Sequence, residues 1–256
     1  MDFTSQIKKT FSEKLPDTEL FVYDTVGSTN DEARAYALKE KGKSAFFIAR
    51  EQTAGRGRRG RSFISRDGGL YISYLLYPKL AVREAVMLTV FASVALSETI
   101  EEMTGAHPKI KWVNDVFLGG KKLAGILAEG EFSREGGGFE YAVVGIGVNL
   151  HGSTLPTEIK DIATTLECEC GVRVSISDFA LRLAKKLEAF EEQLSASYMN
   201  GYRERSLVIG KRVVMTSAGE SFSARVLGIE NDGAITVRLD TGEEKTLYSA
   251  EVSIIL

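Results

Sequence analysis

The sequence predicts an α/β (α+β) protein, a mixed sheet with packed helices followed by a small all-β unit of about five strands. Three observations carry this. Three strand-like runs follow one another across short turns between residues 110 and 150, which favours a mixed or antiparallel sheet over a doubly wound one. Helical periodicities flank them on both sides. After Gly210 the chain changes to short β-rich runs separated by glycine-containing turns, which divides it into residues 1–207 and 208–256.

The elements follow in order. Phe3, Ile7, Phe11 and Leu15 recur every four residues and form one helical stripe, read as docking on the protein's own core. Residues 29–42 are helical in pattern, with Thr29 and Glu32 spaced as a capping box and Gly42 placed to end the helix. Residues 45–50 read as a short strand, 53–69 break all periodicity, and 70–77 resume as a strand. Residues 82–103 are apolar on nearly every side, as expected of a helix buried in a larger fold. Beyond it Ile110 and Trp112 alternate with Lys109 and Lys111, Gly119-Gly120 turns a hairpin, and residues 123–131 run back. Alternation puts Lys111 on the face opposite Trp112. Gly136-Gly137-Gly138 then leads into a strand at 139–150, and two helices follow, the second with an apolar stripe from Phe179 through Leu187, Phe190 and Leu194 to Tyr198.

Composition excludes several classes. At 256 residues, 44% hydrophobic and 26% charged, the chain is globular and large enough for a sizeable core. A net charge of −3 argues against a surface built throughout to hold nucleic acid, so any basic site is local. Cys168, Cys170, His107 and His151 are too few for a disulfide scaffold or a Cys/His-rich zinc module, and read as packing, surface or turn residues. The N-terminus has no continuous apolar h-region and no run approaches the ~18 apolar residues that span a bilayer, so the protein is read as cytoplasmic.

Four segments carry chemistry. Gly55-Arg56-Gly57-Arg58-Arg59-Gly60-Arg61 packs four mutually repelling guanidiniums, donors without acceptors, among glycines that let backbone N–H groups approach the same anion. A polyphosphate or carboxylate suits it; an RNA-binding arginine-glycine box is the competing reading. Lys111-Trp112-Val113-Asn114-Asp115 offers a cation for a substrate oxyanion and a carboxylate for a metal, or simply a turn. Gly145-Ile146-Gly147-Val148-Asn149 lies in a strand, where missing side chains allow a flat ligand close approach or mark a bulge. Ser28-Thr29-Asn30-Asp31 stands at a helix start, where capping by itself accounts for Ser or Thr.

The order of these segments, with Gln52 to Arg61 as one run and Lys122 to Leu127 between the second and third, closely resembles the catalytic domain of the biotin protein ligases. The resemblance covers nearly the whole chain. It implies a mixed α/β catalytic domain with an SH3-like β-barrel after it, and an activity that joins biotin and ATP into biotinyl-5′-AMP, then transfers biotin to one lysine of a biotin carboxyl carrier protein or carboxylase domain. By the same resemblance Ser28, Thr29 and Asn30 hold the ureido end of biotin with Gln52 beside it, and Gly125 and Gly145 line the pocket. Arg56, Gly57, Arg58 and Arg61 belong to a loop that folds over biotin and phosphate, Lys111 is the central cation, and Arg58 shares the catalytic role. Asn149 falls where the family approaches the adenine, and Asp115 is a contact for Mg.

Two departures are visible. Val113 stands where the family usually has proline, so that turn loses a fixed φ, and Phe63 stands near where some members carry tryptophan against the adenine. The lipoate-attaching branch of the same fold is the near rival, but the arginine-glycine loop looks like the biotin branch. The family contains monomers and homodimers. Only 27 residues precede Ser28, too few for the DNA-binding domain of the biotin repressors, so ligase activity without operator binding is expected.

Overall fold

Helix α1 (Phe3–Lys14) begins where the Asp2 carboxylate accepts the Ser5 amide at 2.8 Å. Its four-residue stripe buries Ile7 and Phe11, and the Phe11 ring stands edge-on to Phe46, so the stripe docks on the protein's own core as expected. The structure, a computed structural model, describes residues 2–133, 138–152, 155–189, 196–217 and 219–254.

The first sheet has seven strands: β1 (Glu19–Val26), β2 (Ala45–Gln52), β3 (Gly69–Leu76), β4 (Lys109–Lys111), β5 (Asp115–Leu118), β6 (Lys121–Phe132) and β7 (Phe139–Asn149). Their order is β1-β2-β3-β7-β6-β5-β4, with β1 and β2 parallel and the remaining neighbours antiparallel, which is the predicted mixed sheet. Strand β1 has no counterpart in the sequence reading, because an edge strand with every residue half-buried or exposed carries no alternation. Strand β5 also escaped it: four residues between two reversals are too short to show a period. The second of those reversals is the expected Gly119-Gly120 turn, joining Leu118 to its partner Lys121.

Helix α2 (Thr29–Ala37) ends five residues before Gly42. The apolar face runs out there: Leu38 is 70% exposed and residues 38–44 are all exposed, so no packing sustains further turns. The central helix α3 (Val86–Thr104) is buried along nearly all its length, as its composition requires. It starts later than residue 82 because Val82–Glu84 form a separate single turn, in which the Glu84 carboxylate takes the Ala81 amide at 2.9 Å. The buried hydroxyls of Ser93, Ser97 and Thr99 each donate to the carbonyl four residues back.

Helices α4 (Leu166–Cys170), α5 (Ile176–Glu188) and α6 (Ala196–Glu204) complete the layer. The stripe read as one helix is divided, with Phe179, Leu183 and Leu187 on α5 and Tyr198 on α6. Phe190, Leu194 and the Gly136-Gly137 turn lie outside the described residues.

The C-terminal strands β8 (Arg212–Ser217), β9 (Glu220–Ile229), β10 (Ile235–Leu239), β11 (Glu244–Leu247) and β12 (Glu251–Ile254) form an antiparallel sheet of order β11-β10-β9-β8-β12. Their apolar faces join the main core: Val213, Met215 and Ile235 belong to one continuous cluster with Ile110, Trp112 and Tyr202. Trp112 donates its indole N–H to the Gly233 carbonyl at 2.9 Å, and the amide of Ile110 bonds the carbonyl of Arg205 at 2.7 Å. These links bring β12 beside the arginine-rich loop.

Candidate functional site

A cavity opens where the start of α2, the end of β2, the 53–68 loop and the glycines of β6 and β7 meet, with β12 closing one side. Its two ends differ in chemistry.

One end is neutral. Ser28 takes the N-cap position of α2 without making a capping bond, and Thr29 gives its amide N–H to Gln52 Oε1 at 2.8 Å, with its hydroxyl 3.0 Å from the same oxygen. The expected capping box is therefore absent. Glu32 instead meets the Tyr23 hydroxyl. Local capping does not account for these hydroxyls, although Ser28, Thr29 and Asn30 are all at most 5% exposed. Asn30 is saturated: its Oδ1 accepts the Ser73 hydroxyl at 2.6 Å, and its Nδ2 donates to Glu129 at 2.8 Å and to the Leu127 carbonyl at 3.4 Å. It shapes the wall and leaves Ser28, Thr29 and Gln52 to face a ligand. Gly145 pairs with Ser73 across the sheet, and a Cβ there would collide with Asn30 Oδ1. Close approach, which the sequence reading raised for this glycine, is what the fold uses, though the group that approaches is the protein's own amide.

The other end is cationic. Lys111, at the end of β4, lines the cavity half-buried, with no carboxylate in ion-pair range among the described residues and the Phe117 ring 5.8 Å away. Burial pushes its ammonium below the ordinary lysine range, against the pull of Asp115. Arg58 is similar: it reaches Asn114 Oδ1 at 3.4 Å and Ser249 Oγ at 3.2 Å, both neutral, and burial followed by repulsion from Arg59 lowers its pKa. Lys122, to which the sequence reading gave no role, also lines this end. Its Nζ lies 2.6 Å from Asp115 Oδ1, a buried oxygen that accepts no hydrogen bond, so the contact is an ion pair outside hydrogen-bond geometry. The signal was present in the run from Lys122 to Leu127, whose glycine was singled out while its lysine was passed over.

The arginine loop folds back on the protein. Arg56 lines the cavity and pairs with Asp31 at 2.6 Å and with Glu129 at 3.3 Å, beside the neutral end. Arg61 and Arg59 meet Glu251 of β12 at 2.8 and 3.7 Å. Arg59 takes the left-handed conformation (φ 57°, ψ 37°), a strain of about 1–2 kcal/mol for a residue with a side chain. Arg56, Arg59 and Arg61 are exposed but paired with carboxylates, which offsets the cationic face that RNA stacking needs.

Phe63 lies over the paired glycines of β6 and β7. A Cβ on Gly147 would come within 2.6 Å of its ring and one on Gly125 within 3.2 Å. Asn149 is not part of this cavity; it donates to the Thr164 carbonyl at 3.2 Å and lines a separate small cleft beyond Tyr71, against whose ring Phe63 stands edge-on. Among the described residues no three His, Cys, Asp or Glu side chains converge as for a resident metal. His151 bonds the Val174 carbonyl, His107 is exposed, and the two thiols are free. No helix among the described residues is long and apolar enough to cross a membrane.

Residues 23–149 match the model of the biotin/lipoate A/B protein ligase family, and residues 208–254 that of the biotin protein ligase C-terminal domain. The chain is 34% identical over 234 residues to a biotin--[acetyl-CoA-carboxylase] ligase of Paracoccus denitrificans, covering 88% of this chain and 96% of that protein. It is 30% identical over 260 residues to the bifunctional ligase/repressor BirA of Bacillus subtilis, covering 98% of this chain and 78% of that protein. Among solved structures, the biotin protein ligase from Aquifex aeolicus in complex with biotin and ATP superposes with a TM-score of 0.76 at 29% identity, covering 93% of this chain and 98% of that one.

Proposed function

The chain belongs to the biotin/lipoate A/B protein ligase family, and from that premise we propose that it is a biotin--[biotin carboxyl-carrier protein] ligase. It activates biotin with ATP as biotinyl-5′-AMP, releases pyrophosphate, and transfers the biotinyl group to a lysine of a carrier protein or domain. The observation that carries this reading is the two-ended cavity. Neutral donors and acceptors from Ser28, Thr29 and Gln52 suit a ureido ring, and the cations Lys111, Lys122 and Arg58 suit the carboxylate and phosphates beyond it.

The chemistry needs those cations. A biotin carboxylate oxygen attacks the α-phosphorus while the bond to pyrophosphate breaks, bringing two anions together against a repulsion of about 4 kcal/mol per unit charge pair at ~4 Å and an effective dielectric of ~20. Lys111 and Arg58 carry charge that the free protein does not neutralise at close range. Held in place before reaction, they offset the repulsion and stabilise charge on the departing pyrophosphate without reorganisation. Lys122 is already partnered by Asp115, so its ammonium is held in a fixed position at the floor. Magnesium comes with the triphosphate as part of the substrate, since Mg2+ keeps several waters and takes one or two carboxylates plus phosphates. Asp115 and Glu251 are the carboxylates lining the cavity among the described residues, and Asp115 is the one assigned to that ion. Asn149, which the resemblance sets near the adenine, lines the neighbouring cleft with Tyr71, whose ring meets Phe63 edge-on.

Incubation with Mg-ATP and, separately, biotin, lipoate or octanoate, followed by mass spectrometry for acyl-AMP, tests the reading. Biotinyl-AMP alone is expected. Adenylate from lipoate or octanoate only, or none from a folded sample, would overturn it.

A further inference from the structure

On strand β4, Lys109 and Lys111 share one face, while Ile110 turns to the other beside its partner Val116, both of them fully buried. The register sets Phe117 opposite Lys109 and Asp115 opposite Lys111, so both stand on the lysine face. A register shift between Val116 and Phe117 in the pairing with β6 then brings Lys122 opposite Phe117. Phe117 is half-buried, yet it belongs to neither apolar cluster of the described residues. Its ring is not there to fill a core.

What the ring meets is charge. The Lys111 ammonium stands over it, 5.8 Å from the centroid, within the ~6 Å reach of a cation–π contact. Asp115, directly across from Lys111, is taken by Lys122 at 2.6 Å. The face thus sorts two ammonium groups between two partners, Lys122 to the carboxylate and Lys111 to the ring. The chemical consequences differ. A carboxylate neutralises a cation, whereas the quadrupole of a ring attracts an ammonium and leaves its net charge whole. Lys111 lines the cavity and Phe117 does not, so the ring meets the ammonium from outside and leaves its inner side open to an anion. We infer that Phe117 is a positioning residue, whose ring holds the Lys111 ammonium toward the cavity and off Asp115, with its charge kept for the carboxylate and α-phosphate that react there. This rests on the proposed function in that those anions belong to biotin and ATP.

The test places mono-, di- and trifluorinated phenylalanine at Phe117 of the full chain by amber suppression, with Phe117→Leu and Phe117→Tyr as ordinary variants. Fluorine drains charge from the ring face at nearly constant shape, so a cation–π role follows the series and a packing role does not. Biotin-dependent pyrophosphate exchange is expected to fall stepwise along it, reaching about 3–30-fold below the parent in Phe117→Leu, the loss of one partly desolvated cation–π contact. Phe117→Tyr, which keeps the ring face, stays within about twofold. In a Lys111→Met background Phe117→Leu changes the residual rate by less than about twofold. Rates that stay flat along the fluorinated series, or a Phe117→Leu loss as large in the Lys111→Met background as in the parent, overturn the inference. If Phe117→Leu unfolds the chain, the fluorinated series decides. A parent without biotin-dependent exchange overturns the functional reading instead. The ring contact is then read from the fluorine resonance of the monofluorinated ring, which shifts on Lys111→Met if the ammonium sits over it; an unmoved resonance overturns the inference in an active or inactive chain alike.

Discussion

Replacing Lys111 by methionine separates a functional cation from a structural one. Methionine keeps most of the aliphatic stem and removes the ammonium. In the free protein that ammonium is half-buried, has no carboxylate in ion-pair range among the described residues, and has its pKa lowered chiefly by burial. The folded state therefore disfavours the proton. Between the lowered pKa and the ordinary lysine value of about 10.4 the unfolded chain holds more protons, so this group makes stability rise with pH across that window and is a standing penalty at neutral pH. Lys111→Met is expected to melt at or above the parent temperature at pH 7.5, each kcal/mol relieved being about 2–4 °C for a chain of this size, with the gap closing toward pH 10. Against a phosphate, the lost charge-assisted hydrogen bond of about 1.5–3 kcal/mol lowers kcat/KM for ATP by roughly 10–150-fold. Biotin-dependent pyrophosphate exchange and thermal melts at the two pH values measure both. Exchange at the parent rate, or a lower melting temperature at pH 7.5, would refute the assignment of Lys111 as an uncompensated cation kept for the reaction.

The remaining expectations are of the same kind. Lys122→Met removes the ammonium 2.6 Å from the buried Asp115 Oδ1 and so lowers both exchange activity and melting temperature, by about 1–3 kcal/mol of stability for a pair that is only partly buried; a variant as stable as the parent would show that the pair does not matter. Gly145→Ala drives a Cβ into Asn30 Oδ1, which displaces the α2 start, destabilises by about 1–3 kcal/mol and weakens biotin binding by calorimetry at least about tenfold; parent-like affinity counts against the wall described for that end. Arg58→Gly takes a cation and its Asn114 and Ser249 contacts from the lid, so stopped reactions analysed by chromatography should contain more free biotinyl-AMP than the parent's. Trp112→Phe loses the indole bond to the Gly233 carbonyl and lowers stability by about 1 kcal/mol, seen as a melting shift of about 2–4 °C, because that bond joins the two sheets.

Much of the fold was legible because its signals are local. The buried helix α3 shows in an apolar run, the five C-terminal strands in their regular turns, and α1 in a four-residue stripe. What escaped was set by neighbours: β1 is an edge strand lying parallel to β2 with no alternation of its own, α2 stops where packing stops, and the stripe from Phe179 to Tyr198 is shared by two helices. In the site, the cationic loop and the strand glycines stand out by residue type, whereas Ser28, Thr29 and Gln52 come from the resemblance, because capping by itself accounts for Ser or Thr at a helix start. Asn30 and Arg56, which the resemblance also put against the ligand, line the cavity but are held there by Ser73, Glu129 and Asp31, and Asn149 lines the neighbouring cleft, contacts that no residue type foretells.

The sequence by itself determined which segments carry charge, which lack side chains and which can form strands and helices, since these depend on residue type and on periods of two and 3.6. Only the tertiary structure decided which cations are neutralised. Whether Arg61 meets Glu251, Lys122 meets Asp115, and Lys111 and Arg58 meet no carboxylate depends on residues up to 190 positions apart. An ion pair is a matter of a few ångströms in space, and no periodicity along a chain encodes it.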